Sequence, residues 1–137
     1  MKKLIVFALA ALAGICSASF ASAQTRLVQG QIPFDFTVGS AQLPAGEYRI
    51  SYDISGLVTF RNLEKGKSVA MLVGADQDAK DNKCKLIFAR YGDQYFLKQS
   101  ACRPANVNFF VPTSGNERLA QEQASNGNGE QTVVAMK

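Results

Sequence analysis

The 137-residue sequence contains no histidine and no tryptophan, and it has only three cysteines. Without histidine, neither a Ser-His-Asp triad nor a Cys/His zinc site can form, and the commonest general base of enzymes is missing. A Ser-Lys dyad also lacks support, because no S-x-x-K pattern lies in a helical context. The composition therefore disfavours the familiar hydrolase chemistries and indicates no cofactor.

Charge is low and mixed in sign. The 15 basic and 11 acidic residues give a net charge of +4, which falls to +2 when Lys2 and Lys3 are left out with the export segment described below. The remaining basic residues are scattered as far as Lys137, without the clustered stripe that contacts successive phosphates. We expect no nucleic-acid partner, and the length predicts one folded domain.

The N-terminus has the pattern of a secretory signal peptide. Lys2 and Lys3 precede an apolar stretch from Leu4 to Ile15, and Ala21-Ser22-Ala23 has the small residues of a cleavage site. We predict a signal peptide over residues 1–23 and a periplasmic or extracellular mature protein without a transmembrane segment, since no run approaches about 20 apolar residues. Lipid attachment at Cys16 is the disfavoured alternative, because bulky Ile15 precedes it.

Apolar residues recur with period two along most of the remaining chain, which is typical of half-buried strands. One such run comprises Ile32, Phe34, Phe36 and Val38, and another comprises Tyr48, Ile50, Tyr52 and Ile54. Turn signals follow every 8–12 residues or so, as in small all-β domains. We predict an all-β fold over residues 24–112: a small antiparallel β-sandwich or barrel of about seven strands.

Residues 47–75 are predicted to form a three-stranded meander. The apolar residues match across the first turn if a three-residue loop at Ser55-Gly56 pairs Tyr52 with Val58. At the second turn, a two-residue loop at Lys65-Gly66 predicts that Phe60 pairs with Met71.

Gly92-Asp93 is typical of a tight hairpin between two further strands. Cys84 and Cys102 lie at the open end of that hairpin, so we predict a disulfide between them in an oxidising compartment. A strict two-residue loop places Cys84 opposite Ala101, so the disulfide requires either a bulge or a longer loop.

Residues 113–137 differ in composition from the preceding strands. They are predicted to form a flexible tail that is mostly disordered. Ser114-Gly115-Asn116-Glu117 fits a capping box before one or two helical turns. The final Val133-Val134-Ala135-Met136 segment leaves a second possibility open, namely a last strand that docks back or pairs with a partner.

Aromatic residues supply the candidate contact surface. They surround the hairpin tip and occur again before Pro112: Tyr91, Tyr95, Phe96, Phe109 and Phe110. Such residues form either a stacking platform or ordinary cross-strand packing, and one of the two consecutive phenylalanines must face away from the core. We predict no metal site, because Asp76, Asp78 and Asp81 lack the glycine and the final glutamate of a calcium loop.

Three segments of the sequence resemble segments found in a group of small exported bacterial proteins of unknown function. They are Ile32-Pro33-Phe34-Asp35-Phe36-Thr37-Val38-Gly39, Leu43-Pro44-Ala45-Gly46-Glu47-Tyr48 and Arg90-Tyr91-Gly92-Asp93-Gln94-Tyr95-Phe96-Leu97. The resemblance covers about residues 28–100. It implies a bacterial, extracytoplasmic, mainly β protein and carries over no catalytic or binding residue.

These observations favour a non-catalytic exported β-domain that binds an envelope polymer or another protein. Two alternatives remain open at this point. The first is an assembly subunit that donates its C-terminal segment to a neighbour, and the second is a carboxylate-based hydrolase. The sequence does not define the oligomeric state.

Overall fold

The computed structural model of the protein describes residues 25–77, 80, 82–124 and 129–137. The predicted signal peptide and Cys16 lie outside these residues, as do Asp78 and Asp81. In chain order the elements are β1 (Arg26–Ile32), β2 (Phe36–Val38), β3 (Ala41–Leu43), β4 (Gly46–Tyr52), β5 (Leu57–Asn62), β6 (Ser68–Leu72), β7 (Gly74–Ala75), β8 (Lys85–Tyr91), β9 (Gln94–Ala101), β10 (Phe109–Phe110), α1 (Gly115–Gln123) and β11 (Glu130–Ala135).

The strands form two curled sheets. The first has the order β1-β4-β5-β6 and is antiparallel throughout. The second has the order β11-β8-β9-β10-β7, and β2 joins it through a parallel bridge from Thr37 to Phe96, with β3 paired to β2. Within the described residues, seven strands have five residues or more and four are shorter. The predicted small all-β sandwich or barrel is confirmed.

The two sheets are joined at two places. On one side the chain runs from β6 through Val73 directly into β7, which belongs to the other sheet. On the other side, Gln29 of β1 and Lys137 exchange backbone hydrogen bonds of 3.0 and 2.8 Å. The inner faces therefore enclose one core, which contains the buried side chains of Phe36, Tyr48, Phe60, Phe88 and Phe109.

The predicted meander is present, with one error of register. Tyr52 pairs with Val58 across the first turn, as predicted. Across the second turn Phe60 pairs with Val69 instead of Met71, a shift of two residues that leaves every side chain on its predicted face. The loop has four residues because the Asn62 side-chain oxygen accepts hydrogen bonds from the backbone N–H groups of residues 64 and 65.

The hairpin at Gly92-Asp93 has the predicted two-residue loop, with Tyr91 opposite Gln94. Gly92 has a φ of 64°, which a glycine adopts without steric cost. Further along, Phe88 pairs with Leu97 but Ile87 pairs with Gln99, so Lys98 is the extra residue of a β-bulge. The bulge shifts the pairing by one residue, which brings Cys84 opposite Cys102. The predicted disulfide between these two cysteines is present.

The structure departs from the flexible tail predicted for residues 113–137. Ser114 is the N-cap of α1, and β11 pairs with β8 along its whole length. Val134 and Met136 are buried in the core whereas Val133 is exposed, so alternation within the last segment explains the docking. This segment lies in the sheet of its own chain. Within the described residues, no helix is long and apolar enough to span a membrane.

Removing the disulfide should destabilise the protein. The double variant Cys84→Ser/Cys102→Ser should lose about 3 kcal/mol of unfolding free energy, because the bond closes a loop of 18 residues in the unfolded chain. Urea denaturation measures the change. A reductant should lower the stability of the parent protein by a similar amount and leave the variant unaffected, and a loss below about 1 kcal/mol would contradict the loop-closure account.

Tyr48 should make the protein sensitive to alkali. Its side chain is buried and its hydroxyl donates a 2.6 Å hydrogen bond to the Pro44 carbonyl, and burial raises the pKa of this phenol above 10.0. Because the folded state favours the neutral phenol, its contribution is complete below pH 10 and is lost as the pH rises through the folded-state pKa.

We expect Tyr48→Phe to cost about 1 kcal/mol at neutral pH and to reduce the decline of stability above pH 10. Urea denaturation at a series of pH values measures both effects. Parallel pH profiles for the parent and the variant would show that Tyr48 does not cause the decline.

Candidate functional site

The five aromatic residues proposed as a contact surface do not form one surface. Phe96 and Phe109 are 3% and 0% exposed, respectively, so neither side chain can contact a ligand. Phe109 packs in the core against Tyr52 and Phe60, with ring centroids 5.7 and 6.3 Å apart. The assignment of both residues to a contact surface is wrong, because each faces a covered side of its strand.

Tyr95 is also engaged within the protein. Its ring stacks on Phe34 with a centroid distance of 3.8 Å and an interplanar angle of 13°. The Arg90 guanidinium carbon lies 5.6 Å from the Tyr95 centroid, within the range of a cation–π contact. These partners assign Tyr95 to packing within the protein instead of to a free stacking platform.

Phe110 is the phenylalanine that faces away from the core, with 48% of its surface exposed. Its ring lies against Gly74 of β7, where an added Cβ would overlap the ring. One of the two consecutive phenylalanines therefore faces away from the core, as strand alternation requires. The glycine lets Phe110 lie flat on the neighbouring strand, which leaves one side of the ring accessible.

Glu117 is a buried acid that positions α1 on the second sheet. It is 3% exposed, and its backbone N–H donates to the Ser114 hydroxyl at the helix N-cap. Its carboxylate accepts a 2.8 Å hydrogen bond from the ammonium group of Lys98 and a 3.4 Å hydrogen bond from the Tyr91 hydroxyl. The capping-box motif predicted the backbone contact, but the sequence did not indicate the partners from β8 and β9.

An open groove lies beside this helix. It has a volume of about 580 Å³ and runs between α1 and the β2–β3 hairpin, with residues 93–96 along it. Most of its lining side chains carry amide, carboxylate or hydroxyl groups: Asp35, Thr37, Ser40, Gln42, Asp93, Gln94, Asn116 and Gln123. We call these residues the polar groove.

Turns and element ends position the groove residues. The Asp35 carboxylate accepts a 2.8 Å hydrogen bond from the backbone N–H of Ala45, which holds it at the turn after β3. Asp93 lies in the tight hairpin turn, and Gln94 is the first residue of β9. Asn116 and Gln123 come from α1, which the contact between Lys98 and Glu117 attaches to β9.

The side chains that line the groove can contact a ligand mainly through hydrogen bonds. Its lining includes two carboxylates and no lysine or arginine, so its charge is unfavourable for phosphate. Within the described part of the chain, no group of three or more Cys, Asp or Glu residues could hold a metal ion. Asp76, from the rejected calcium pattern, accepts a hydrogen bond from the Gln99 amide.

Sequence patterns did not reveal the polar groove. Its members come from residues 35–42, 93–96 and 116–123, which are far apart along the chain. The only local signal is the high amide content of α1, whose sequence is GNERLAQEQ. Such a composition is equally typical of any solvated helix.

Neutralising Glu117 should weaken the attachment of α1. We expect Glu117→Gln to cost about 1–3 kcal/mol, because Lys98 loses a charged hydrogen bond in a partly buried position. Glu122→Gln, at an exposed position of the same helix, is the matched control and should change stability by less than about 0.5 kcal/mol. Equal effects of the two variants in urea denaturation would refute the positioning role.

The side chains themselves are the basis for interpreting the polar groove and the Glu117 contacts. In comparisons with known proteins, no family model matches this chain, and no curated protein and no solved structure matches it at a significant level.

Proposed function

We propose that the protein is a non-catalytic, exported β-domain that binds a hydroxyl-rich envelope polymer in the polar groove. The observation that carries this proposal is the lining of the groove, in which amide, carboxylate and hydroxyl side chains from three segments face one open space. Its volume lies within the range of about 300–1,000 Å³ that is usual for ligand sites.

Side-chain chemistry favours a neutral polyhydroxylated ligand. Gln94 and Asn116 each present an amide that can both donate and accept, which matches the hydroxyl groups of a glycan. Asp35 and Asp93 add acceptors for hydroxyl donors and disfavour anionic ligands by charge. An open groove also suits a section of a chain, because both ends of a bound segment can continue into solvent.

Export is supported by two independent features. The N-terminal pattern of Lys2-Lys3, the following apolar stretch and Ala21-Ser22-Ala23 is that of a signal peptide. The disulfide between Cys84 and Cys102 is of a kind that persists in oxidising compartments such as the periplasm or the extracellular medium. The resemblance to small exported bacterial proteins agrees with this location.

Titration with soluble fragments of envelope glycans, followed by NMR, tests the proposal. We expect saturable shifts at residues 93–96 and in α1, with Gln94→Ala and Asn116→Ala each weakening binding about 5- to 10-fold through loss of a hydrogen bond. Gln131→Ala, an exposed amide outside the groove lining, is the matched control and should bind normally.

Two results would overturn the proposed function. One is the absence of any saturable shift in the groove over a panel of envelope glycans. The other is cleavage of a fragment that disappears in Asp35→Asn or Asp93→Asn, which would identify a carboxylate hydrolase instead of a binding domain.

A further inference from the structure

Two arginines stand directly opposite each other on the outer face of the first sheet. Arg49 of β4 pairs with Arg61 of β5. Their strand neighbours Tyr48, Ile50 and Phe60 are fully buried, and both arginines are exposed, so the two guanidinium groups project on the solvent side. Like charges directly opposite each other in an antiparallel pair are destabilising.

No acid within the described part of the chain forms an ion pair with either arginine. Neither guanidinium has a carboxylate partner within 4.0 Å among those residues. Glu47 lies on the same face two residues before Arg49, but its carboxylate accepts a 2.6 Å hydrogen bond from the Gln29 amide. No ion pair within the described residues therefore relieves the repulsion between Arg49 and Arg61.

Several neighbouring side chains on this face can donate hydrogen bonds. In the same row across the sheet, Gln29 lies beside Arg49 and Ser68 lies beside Arg61. In the next row Ser51 and Thr59 are directly opposite each other. An anion placed between the arginines would therefore meet hydroxyl donors as well as two positive charges.

We propose that Arg49 and Arg61 form a binding site for a phosphate group. A phosphate monoester carries close to two negative charges at neutral pH and compensates both guanidinium groups, whereas a single carboxylate compensates only one. Each planar guanidinium can also donate two parallel hydrogen bonds to its oxygens. This site goes beyond the proposed glycan groove and shares no residue with it.

Titration of inorganic phosphate at constant ionic strength, with chloride as the reference anion, tests the site by NMR. We expect saturable shifts at Arg49, Ser51, Thr59 and Arg61, with a dissociation constant of about 1–10 mM for two exposed charges. Arg49→Gln and Arg61→Gln should each weaken binding at least about fivefold. The control Arg118→Gln removes an exposed arginine of α1 and should bind like the parent.

Thermal unfolding gives an independent measurement. Without phosphate, Arg49→Gln and Arg61→Gln should each raise the midpoint by about 2–4 °C, because each removes the repulsion. Phosphate should raise the midpoint of the parent and have little effect on either variant. The proposal is overturned if phosphate shifts are not saturable, if Arg118→Gln loses binding equally, or if both variants lower the midpoint.

Vesicles distinguish the two sources of such a phosphate. Arginine-dependent sedimentation with phosphatidic acid vesicles, whose headgroup is a phosphate monoester, but not with phosphatidylcholine vesicles, would assign the site to an anionic lipid headgroup. Phosphate binding without sedimentation would assign it to a soluble phosphate-bearing ligand. Sedimentation that persists in both variants would count against the site. Glycan binding in the polar groove should be unchanged in these variants, so the two proposals fail independently.

Discussion

The bulge at Lys98 is the local feature on which much of the second sheet depends. One extra residue in β9 shifts its pairing with β8, and Cys102 thereby comes to lie opposite Cys84. The same residue receives a backbone hydrogen bond from Val111, which follows β10, and its ammonium group binds the buried Glu117. Lys98 therefore contributes to three features of the fold: the disulfide, the return of the chain after β10 and the docking of α1.

The disulfide and the contact between Lys98 and Glu117 therefore both affect the polar groove. The helix that forms one wall has a nine-residue length that is marginal in isolation. Its position depends on the contact between Glu117 and a lysine that the bulge directs to it. Loss of the Lys98–Glu117 contact would therefore alter the groove, although neither residue lines it.

Local patterns predicted the parts of the fold that local physics determines. Period-two alternation identified the strands, and Gly92 at the hairpin turn together with the cysteine spacing identified the second hairpin, its disulfide and the need for either a bulge or a longer loop. The error at the second turn of the meander arose because Asn62 stabilises a longer loop through its side chain, and the alternation of apolar residues is blind to a shift of two.

Non-local contacts account for the remaining differences. The tail is docked because Val134 and Met136 complete a core whose other members range from Val28 to Val111, and no short window of the sequence contains both sides. Phe96 was expected at the surface, but its strand face is covered in the fold. The polar groove could not be predicted for the same reason, since α1 and the β2–β3 hairpin meet only in three dimensions.

The pairing of Gln29 with Lys137 has a consequence for the timing of folding. Gln29 of β1 is joined to Lys137, which lies 108 residues later in the sequence, so this joint cannot form until synthesis has passed Lys137. Pairings between such distant residues are slow to form because loop closure precedes the stabilising contacts. Until β11 and Lys137 have been synthesised, β1 and β8 each lack the neighbour that pairs with them in the folded protein. A nascent chain with this topology therefore stays incompletely folded through most of its synthesis.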